Sequence, residues 1–255
     1  MSEIRLETQA LSRRFGALVA VQNMDFKLAA GARHALIGPN GAGKTTFINL
    51  LTGVLPPTGG RVLLGGRDIT GLAQAGRVKL GIARTFQINR LFRGLSVLEN
   101  VCMAIAERVG AARSMFYPAG KRTDVIDEAM QTLQTLKLAD AARHRVSELP
   151  YGRQRLVELA ITIALSPTVL LLDEPAAGVP SAESHIILDA IERLPENIAV
   201  LIIEHDMDVV FRFAKRVTVM VGGALFAEGT PREIESNPRV REVYLGQSPH
   251  RAAHA

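Results

Sequence analysis

Tryptophan is absent from this chain of 255 residues, and cysteine occurs once, at Cys102. A single cysteine cannot form an internal disulfide, which excludes a small secreted domain built on a disulfide framework. The sequence also lacks a run of the ~18 apolar residues that cross a bilayer, and residues 1–5 lack the apolar core of a signal peptide. We therefore expect a soluble, cytoplasmic protein whose work at any membrane requires partner subunits.

The charge of the chain is nearly balanced. Lysine and arginine number 30 against 25 aspartates and glutamates, which gives a formal net charge of +5. The basic residues are spread along the sequence and no RNA- or DNA-binding motif accompanies them, so no nucleic-acid partner is expected. A hydrophobic content of 47% at this length suffices for one α/β domain with a full core.

One stretch, Gly38–Thr45, fits the phosphate-loop pattern G-x-x-x-x-G-K-[ST] at every position. Apolar residues 35–37 before it predict a short buried strand, and residues 46–51 after it predict the first turns of a helix. Glycines let such a loop curl so that backbone N–H groups and the helix N-terminus face phosphate oxygens. Lys44 is expected to reach the β- and γ-phosphates, and the Thr45 hydroxyl to ligate Mg²⁺. The predicted nucleotide-binding residues here are Gly38, Pro39, Asn40, Gly41, Ala42, Gly43, Lys44, Thr45 and Thr46.

A second pattern consists of apolar residues 169–172 followed by Asp173 and Glu174. A continuous apolar run is typical of a strand buried on both faces of a parallel sheet. The two carboxylates then emerge at the carboxyl end of the strand, where such sheets bind ligands. Asp173 is predicted to hold Mg²⁺, directly or through water, and Glu174 to orient and polarise the attacking water. This pair narrows the prediction from nucleotide binding to nucleotide hydrolysis.

Between these two patterns, the segment Leu149–Arg155 precedes a predicted helix. Apolar residues at 156, 159, 160, 163 and 164 form one helical stripe. A small turn that opens a helix is a second device for binding phosphate.

This turn resembles the signature motif of ATP-binding cassette (ABC) ATPases, usually Leu-Ser-Gly/Tyr-Gly-x-Gln, and the resemblance extends from about Ile4 to Gly246. Phe15 stands where the family has an aromatic side chain stacked on adenine, Gln87 matches the Q-loop, and His205 matches the switch histidine. The resemblance implies that Glu174, His205 and Gln87 are catalytic. It also implies that Mg²⁺ is held by Thr45, Gln87 and Asp173. The signature turn that would face the ATP of a partner subunit comprises Tyr151, Gly152, Arg153 and Gln154.

Two positions depart from the family pattern. Pro150 stands where the signature usually has a serine whose hydroxyl contacts the γ-phosphate of the partner's ATP. Proline is acceptable at the start of a helix because the N–H it lacks has no intrahelical partner, and backbone N–H groups around Gly152 could still bind phosphate. Pro180 stands where many members have an aspartate in the loop that links the two ATP sites. Both changes bear on contacts across the subunit interface, not on Lys44.

Several segments look like the ATPases of branched-chain amino-acid importers. They are Arg84–Gln87, Leu91–Phe92, Ser96–Val101, Asp173–Gly178 and Val243–Gly246. One alternative is the ATPase of lipopolysaccharide export, which shares the Tyr-Leu-Gly ending but has a less similar signature. Another is a soluble ABC ATPase without a transport role, although such proteins usually carry two cassettes in one chain. A purely regulatory nucleotide binder is disfavoured by the intact Glu174 and His205.

The expected fold is an α/β P-loop NTPase of the ABC ATPase type, with a mixed or parallel sheet core and an N-terminal antiparallel β region. The α/β core is assigned to residues 1–87 and 166–230, an inserted helical subdomain to 88–165, and a short helix with a tail to 231–255. Ser96 and Glu99 predict a capping box that opens a helix. Further predictions are short strands alternating with turns from Ile4 to about Leu64, a loop at 110–122, helices at 124–138, 181–194 and 207–214, a strand at 198–203, strand pairs around 217–227 and a disordered tail from 250.

The family resemblance implies an ATPase that uses ATP and Mg²⁺ and lies on the inner face of the cell membrane. Two cassettes, identical or homologous, would pair head to tail with ATP between the phosphate loop of one and the signature turn of the other. Two transmembrane permease subunits and, indirectly, a substrate-binding protein are the other expected partners. The expected role is to power the import of branched-chain or related amino acids.

Overall fold

The computed structural model describes residues 3–85, 91–110, 123–179 and 181–245. The chain divides into two compact units, one formed by Met1–Gln74 with Ala199–Ala255 and the other by Ala75–Ile198. Gln87, Pro180, the tail from residue 250 and the predicted loop beyond Gly110 lie outside the described residues. The predicted limits of the helical insertion, 88–165, stay a prediction.

The strands and helices have the following bounds. The strands are β1 (Ile4–Phe15), β2 (Leu18–Ala29), β3 (Arg33–Ile37), β4 (Gly59–Leu64), β5 (Arg67–Asp68), β6 (Ile82–Arg84), β7 (Val169–Asp173), β8 (Ala199–Ile203), β9 (Arg216–Val221) and β10 (Ala224–Gly229). The α-helices are α1 (Lys44–Thr52), α2 (Gln74–Lys79), α3 (Val97–Arg108), α4 (Thr123–Thr135), α5 (Tyr151–Ala164), α6 (Ser181–Glu192), α7 (Met207–Phe213), α8 (Pro231–Ser236) and α9 (Pro238–Leu245).

In the first unit, an antiparallel sheet has the strand order β2-β1-β4-β5. This confirms the predicted antiparallel N-terminal region, but the prediction of short strands was wrong for β1 and β2, which are 12 residues long each. Ala10 and Asn23 take positive φ angles of 47° and 43° where the β1–β2 register shifts. Such bulges bend a long strand without ending it, so the sequence looks interrupted where the backbone continues.

The first unit also contains strands in the order β10-β9-β3-β8. β3 is parallel to β8 and to β9, whereas β10 returns antiparallel to β9. All five residues of β8 are buried, as are four of the five in β3, as expected for parallel strands covered on both faces. The carboxyl end of β3 is where the phosphate loop begins.

A polar contact is buried in this core. The His34 ring nitrogen Nε2 lies 2.8 Å from the Thr218 hydroxyl, and the ring meets Phe26 edge-on at 5.0 Å between centroids. Phe26 also meets Phe47 of α1 edge-on at 5.7 Å. These contacts tie β2, β3, β9 and α1 into one core within the first unit.

In the second unit, β6 and β7 pair in parallel, and the helices α3, α4, α5 and α6 lie in the same unit. The predicted capping box of α3 is confirmed, because the Ser96 hydroxyl accepts the Glu99 backbone N–H while the Glu99 carboxylate accepts the Ser96 N–H. Helix α4 ends three residues earlier than the predicted limit of 138. Helix α5 is buried around most of its circumference rather than along one stripe.

The C-terminal region contains two helices, where one short helix was predicted. Thr230 and Glu233 form a capping box at the start of α8. Asn237 then ends α8, and its side chain accepts the backbone N–H groups of Arg239 and Val240 in the first turn of α9. An Asn-Pro pair is typical of a helix start, so this break is local in origin. No helix in the described parts of the chain combines the length and apolarity needed to cross a bilayer.

The buried His34 makes stability depend on pH. Burial lowers the pKa of His34 from 6.5 to about 4, an effect that Glu228 opposes and Arg216 reinforces. Between these two values the unfolded chain binds a proton that the folded chain excludes. The contribution of neutral His34 to the free energy of unfolding is therefore fully present above about pH 6.5 and is lost as the pH falls towards about 4. Its size is roughly 3 kcal/mol.

We expect His34→Gln, which stays neutral and can keep a hydrogen bond to Thr218, to flatten the fall in melting temperature between about pH 7 and 4.5. Melting curves followed by circular dichroism over this range measure it. His144 lies on the surface, so His144→Gln is the matched control and should retain the slope of the parent. A parental slope in His34→Gln would contradict the assignment.

Candidate functional site

The phosphate loop, Gly38–Thr45, connects β3 to α1 in the first unit. Gly41 and Gly43 take positive φ angles of 79° and 97°. A Cβ on Gly38 would lie 2.2 Å from the Met220 carbonyl oxygen, and one on Gly43 would lie 2.3 Å from that of Ala20. Both glycines are therefore required by close approach of the backbone to β2 and β9.

The positive charge of Lys44 lies inside this loop. Its ammonium Nζ donates to the carbonyl oxygens of Gly38, at 2.5 Å, and Pro39, at 3.1 Å. Helix α1 begins at Lys44 with no side-chain cap and no acidic residue in its first turn. An N-terminus with these properties attracts an anion through its backbone N–H groups. The Thr45 side chain beside it is exposed, so loop and helix fit a bound phosphate.

Phe15, the predicted adenine-stacking residue, ends β1 with 43% of its surface exposed. The Arg13 guanidinium carbon lies 4.6 Å from the centre of the ring, an arrangement that favours a cation–π contact. Arg13 also donates to the Pro56 carbonyl oxygen at 2.8 Å. The ring is therefore held in place while a large part of it remains accessible, as a base-stacking residue requires.

His205 lies on the surface of the first unit, two residues after the end of β8. Asp206, the next residue, accepts the backbone N–H groups of Asp208 and Val209 and caps α7. Glu204, which precedes it, is 3% exposed. His205 thus lies between two residues with fixed positions, because Glu204 is buried and Asp206 caps α7.

The acidic pair ends β7 in the second unit. Asp173 is 3% exposed, and its Oδ2 accepts a hydrogen bond from Arg84 Nη2 at 2.5 Å. Glu174 is only partly buried and takes a positive φ of 46°, a conformation that a non-glycine residue adopts at a cost of ~1 kcal/mol or more. The backbone therefore turns sharply after Asp173, and the Glu174 side chain is more exposed than the buried Asp173 carboxylate. Such strain is found at functional sites.

The described residues contain no cluster of three or more His, Cys, Asp or Glu side chains suited to a metal ion. Mg²⁺ retains several waters and is usually bound through one or two protein oxygens together with the phosphates of a nucleotide. The Thr45 hydroxyl and the Asp173 carboxylate are oxygen donors of this kind. Each of these two donors, Thr45 in the first unit and Asp173 in the second, therefore suits an ion that is bound mainly by a nucleotide and water.

The signature turn, Tyr151–Gln154, forms the first turn of α5. Pro150 is the N-cap residue, with φ −54° and ψ 152°, and supplies no side-chain cap. Gln154 is 6% exposed, and its amide donates to the Leu149 carbonyl oxygen at 2.8 Å. Arg153 forms an ion pair with Asp140 at 2.8 Å. Gln154 thus stabilises the start of the helix, and the predicted acceptance of proline at this position is consistent with the geometry.

Two charged residues that the sequence prediction missed connect this helix to the acidic segment. Arg155 and Glu158 form an ion pair at 2.9 Å with less than a tenth of either residue exposed. Burial raises the pKa of Glu158, while Arg155 opposes that rise. Arg155 also donates to the Ala177 carbonyl oxygen at 3.4 Å. The i, i+3 spacing of the pair was the available signal, but it equally fits a solvated helix face.

The predicted site residues therefore fall into two groups. The first unit carries the phosphate loop, Phe15 and His205, and the second carries Asp173, Glu174 and the signature turn. The prediction for Gln87 lies outside the described residues. Arg13, Arg84 and Arg155 are additions from the structure, each identified by a contact with a predicted site residue or its segment.

Comparison with known families gives two matches. A model described as ABC transporter matches residues 21–177, which include the phosphate loop, the signature turn and the acidic pair. A model described as branched-chain amino acid ATP-binding cassette transporter matches residues 224–250. The two matches lie in different parts of the chain and agree with each other.

Individual relatives extend over nearly the whole chain. It is 39% identical over 255 residues to the high-affinity branched-chain amino acid transport ATP-binding protein LivG of Salmonella typhimurium, covering 97% of this chain and 100% of that one. Identity to the corresponding protein BraF of Pseudomonas aeruginosa is 38% over 255 residues, with the same coverage.

A solved structure agrees with these relatives. The crystal structure of the ADP conformation of MJ1267, an ATP-binding cassette of an ABC transporter, matches with a TM-score of 0.83 and 31% identity over 96% of this chain and 99% of that one. The predicted fold class, an α/β P-loop NTPase of the ABC ATPase type, is thereby confirmed. Because sequence and structure agree over nearly the full length, the chain is an ATPase of the ABC transporter family, built as its ATP-binding cassette.

Proposed function

We propose that this cassette hydrolyses ATP to power the import of branched-chain or related amino acids through separate membrane subunits. The observation that carries the substrate class is the similarity of residues 224–250 to the branched-chain amino acid cassettes, together with 39% identity to LivG over nearly the full length. The phosphate loop and the acidic pair occur in ABC ATPases of many kinds, whereas the match of residues 224–250 is to a model described by its transport substrate.

In the proposed reaction, Lys44 and the glycine loop bind the β- and γ-phosphates, and Phe15 stacks on adenine. Asp173 and Thr45 would hold Mg²⁺, which supplies charge neutralisation at the phosphates, and Gln87 is assigned to the same ion. Glu174 orients the attacking water and accepts its proton. His205, which matches the switch histidine of the family, is assigned a catalytic role beside the γ-phosphate. The remaining nucleotide contacts are assigned to the backbone of Pro39–Gly43 and to Thr46.

We further propose that two cassettes, identical or homologous, enclose ATP between the phosphate loop of one and residues 151–154 of the other. Opening and closing of the two cassettes would move two permease subunits at the inner face of the membrane. A substrate-binding protein would deliver the amino acid to the permeases from the outer side. Because each surface contacts only part of the nucleotide, ATP binds the closed pair more tightly and shifts the population towards it. Hydrolysis and release then reopen the pair.

Uptake measurements test the substrate class. Cells that lack this gene should lose most of their uptake of radiolabelled leucine, isoleucine and valine, and the parental gene should restore it. The Glu174→Gln gene is the matched control and should not restore uptake, although its product is present at parental amounts. Unchanged branched-chain uptake in the deletion strain would contradict the proposed import of these amino acids, and a metabolomic screen of the medium would then identify the substrate.

Glu174→Gln tests the chemical assignment directly. The substitution keeps the shape of the side chain but removes the carboxylate that polarises water, so the rate of hydrolysis should fall by ~10²-fold or more. ATP affinity should remain close to the parent. Lys44→Ala should instead weaken ATP binding, because a charge-assisted contact to phosphate is lost. Phosphate release and ATP binding measured on both variants distinguish the roles; an equal turnover for Glu174→Gln and parent excludes Glu174 as the base.

The signature turn can be tested by dimerisation. In the Glu174→Gln background, ATP with Mg²⁺ should promote a dimer visible in sedimentation at high protein concentration. Adding Gly152→Asp should abolish the dimer, because a carboxylate in the first turn of α5 would oppose the phosphates of the partner's ATP. Gly152→Ala controls for the loss of glycine alone, and melting curves verify folding. If the Gly152→Asp protein dimerises like its parent, the turn does not face nucleotide.

A further inference from the structure

The proposed magnesium ligand Asp173 has a cationic partner within the same unit. β6 and β7 run in parallel with Arg84 opposite Leu171, and the Thr85 backbone N–H donates to the Leu171 carbonyl oxygen at 3.1 Å. In this register Asp173, the last residue of β7, lies two positions beyond the residue that is opposite Arg84. The Arg84 guanidinium therefore reaches the Asp173 carboxylate, with Nη2 and Oδ2 2.5 Å apart.

Both side chains of this ion pair are withdrawn from water. The side chain of Asp173 is 3% exposed and that of Arg84 11%. A buried carboxylate without a cation is strongly disfavoured, and a protein normally compensates with a paired charge and hydrogen bonds. Arg84 supplies both to Asp173. The pair also fixes the direction in which the carboxylate faces.

A metal ion at the Asp173 carboxylate would compete with Arg84 for the same negative charge. The guanidinium and Mg²⁺ are both cations, and within a few ångströms of each other in a partly dry site their repulsion is large. The Asp173 charge that attracts Mg²⁺ is already largely neutralised by Arg84. Mg²⁺ must therefore either displace the Arg84 guanidinium or bind despite electrostatic repulsion from it.

We propose that Arg84 is a positioning residue that acts as the resident counter-cation of Asp173 and competes with Mg²⁺ for it, thereby setting the Mg²⁺ concentration that nucleotide binding requires. The inference rests on the proposed function, because it takes Asp173 as a magnesium ligand. Arg84 holds the Asp173 carboxylate in place until Mg²⁺ binds.

The test is a magnesium titration of the purified full-length chain. Melting temperature is recorded with ADP at a fixed saturating concentration and Mg²⁺ increased stepwise, so that no hydrolysis takes place. Removing the competing cation in Arg84→Met should lower the Mg²⁺ midpoint by about tenfold or more. Arg84→Gln, which keeps a hydrogen-bond donor but no charge, should lower it as well and carries the test if Arg84→Met does not fold.

Arg155→Met is the matched control. Arg155 belongs to another buried ion pair of the same unit, with Glu158 at 2.9 Å, and it also donates to the Ala177 carbonyl oxygen at 3.4 Å. This substitution should lower the melting temperature at every Mg²⁺ concentration and leave the midpoint unchanged. A shift of the midpoint is therefore a readout that general destabilisation does not produce.

Asp173→Asn separates the two levels of the inference. If Asp173→Asn raises the Mg²⁺ midpoint while the Arg84 variants keep the parental value or raise it, Arg84 does not compete with Mg²⁺ and the inference is overturned, with the proposed function intact. If Asp173→Asn leaves the midpoint unchanged, Asp173 is not a magnesium ligand and the metal assignment in the proposed function fails. A lower midpoint in the Arg84 variants with a higher one in Asp173→Asn supports both.

Discussion

The close approach of the phosphate loop to strands β2 and β9 is the constraint on which the first unit depends. A backbone can bind phosphate through its N–H groups only if it is held in a tight curve, and here the curve is pressed against the carbonyl groups of Ala20 and Met220. The Gly223 N–H donates to the Ala42 carbonyl oxygen at 3.0 Å and secures the loop from a third side. Strands β2 and β9 thus act as the support of the nucleotide site.

The second unit depends on charges that are buried in pairs. Arg84 stabilises Asp173, and Arg155 stabilises Glu158 while reaching the loop that follows Glu174. A buried charge is tolerated only with a partner, so each pair fixes the relative position of two segments as well as the carboxylate itself. Within the second unit, these contacts connect the helix of the signature turn to the segment of the acidic pair. The buried charges therefore help to position both segments.

Local patterns in the sequence predicted most of the chemistry. The phosphate loop, the strand before the acidic pair and the Ser96–Glu99 capping box are each specified by residues adjacent in the chain, and fixed spacing is sufficient to recognise them. The bulged strands β1 and β2 were predicted to be shorter, because a bulge and a turn leave similar traces in a sequence. The break between α8 and α9 at Asn237 was missed although its signal, an Asn-Pro pair, is local.

The sequence by itself determined the family, the phosphate loop and the acidic pair, because their chemistry depends on contiguous residues whose order is visible in the chain. Only the tertiary structure decided that Arg84 neutralises Asp173 and that His34 is held neutral against Thr218. Those partners are separated by 89 and 184 positions. Charge pairing and burial depend on which strands become neighbours, and strand order is a property of the folded chain that no local pattern of residues records.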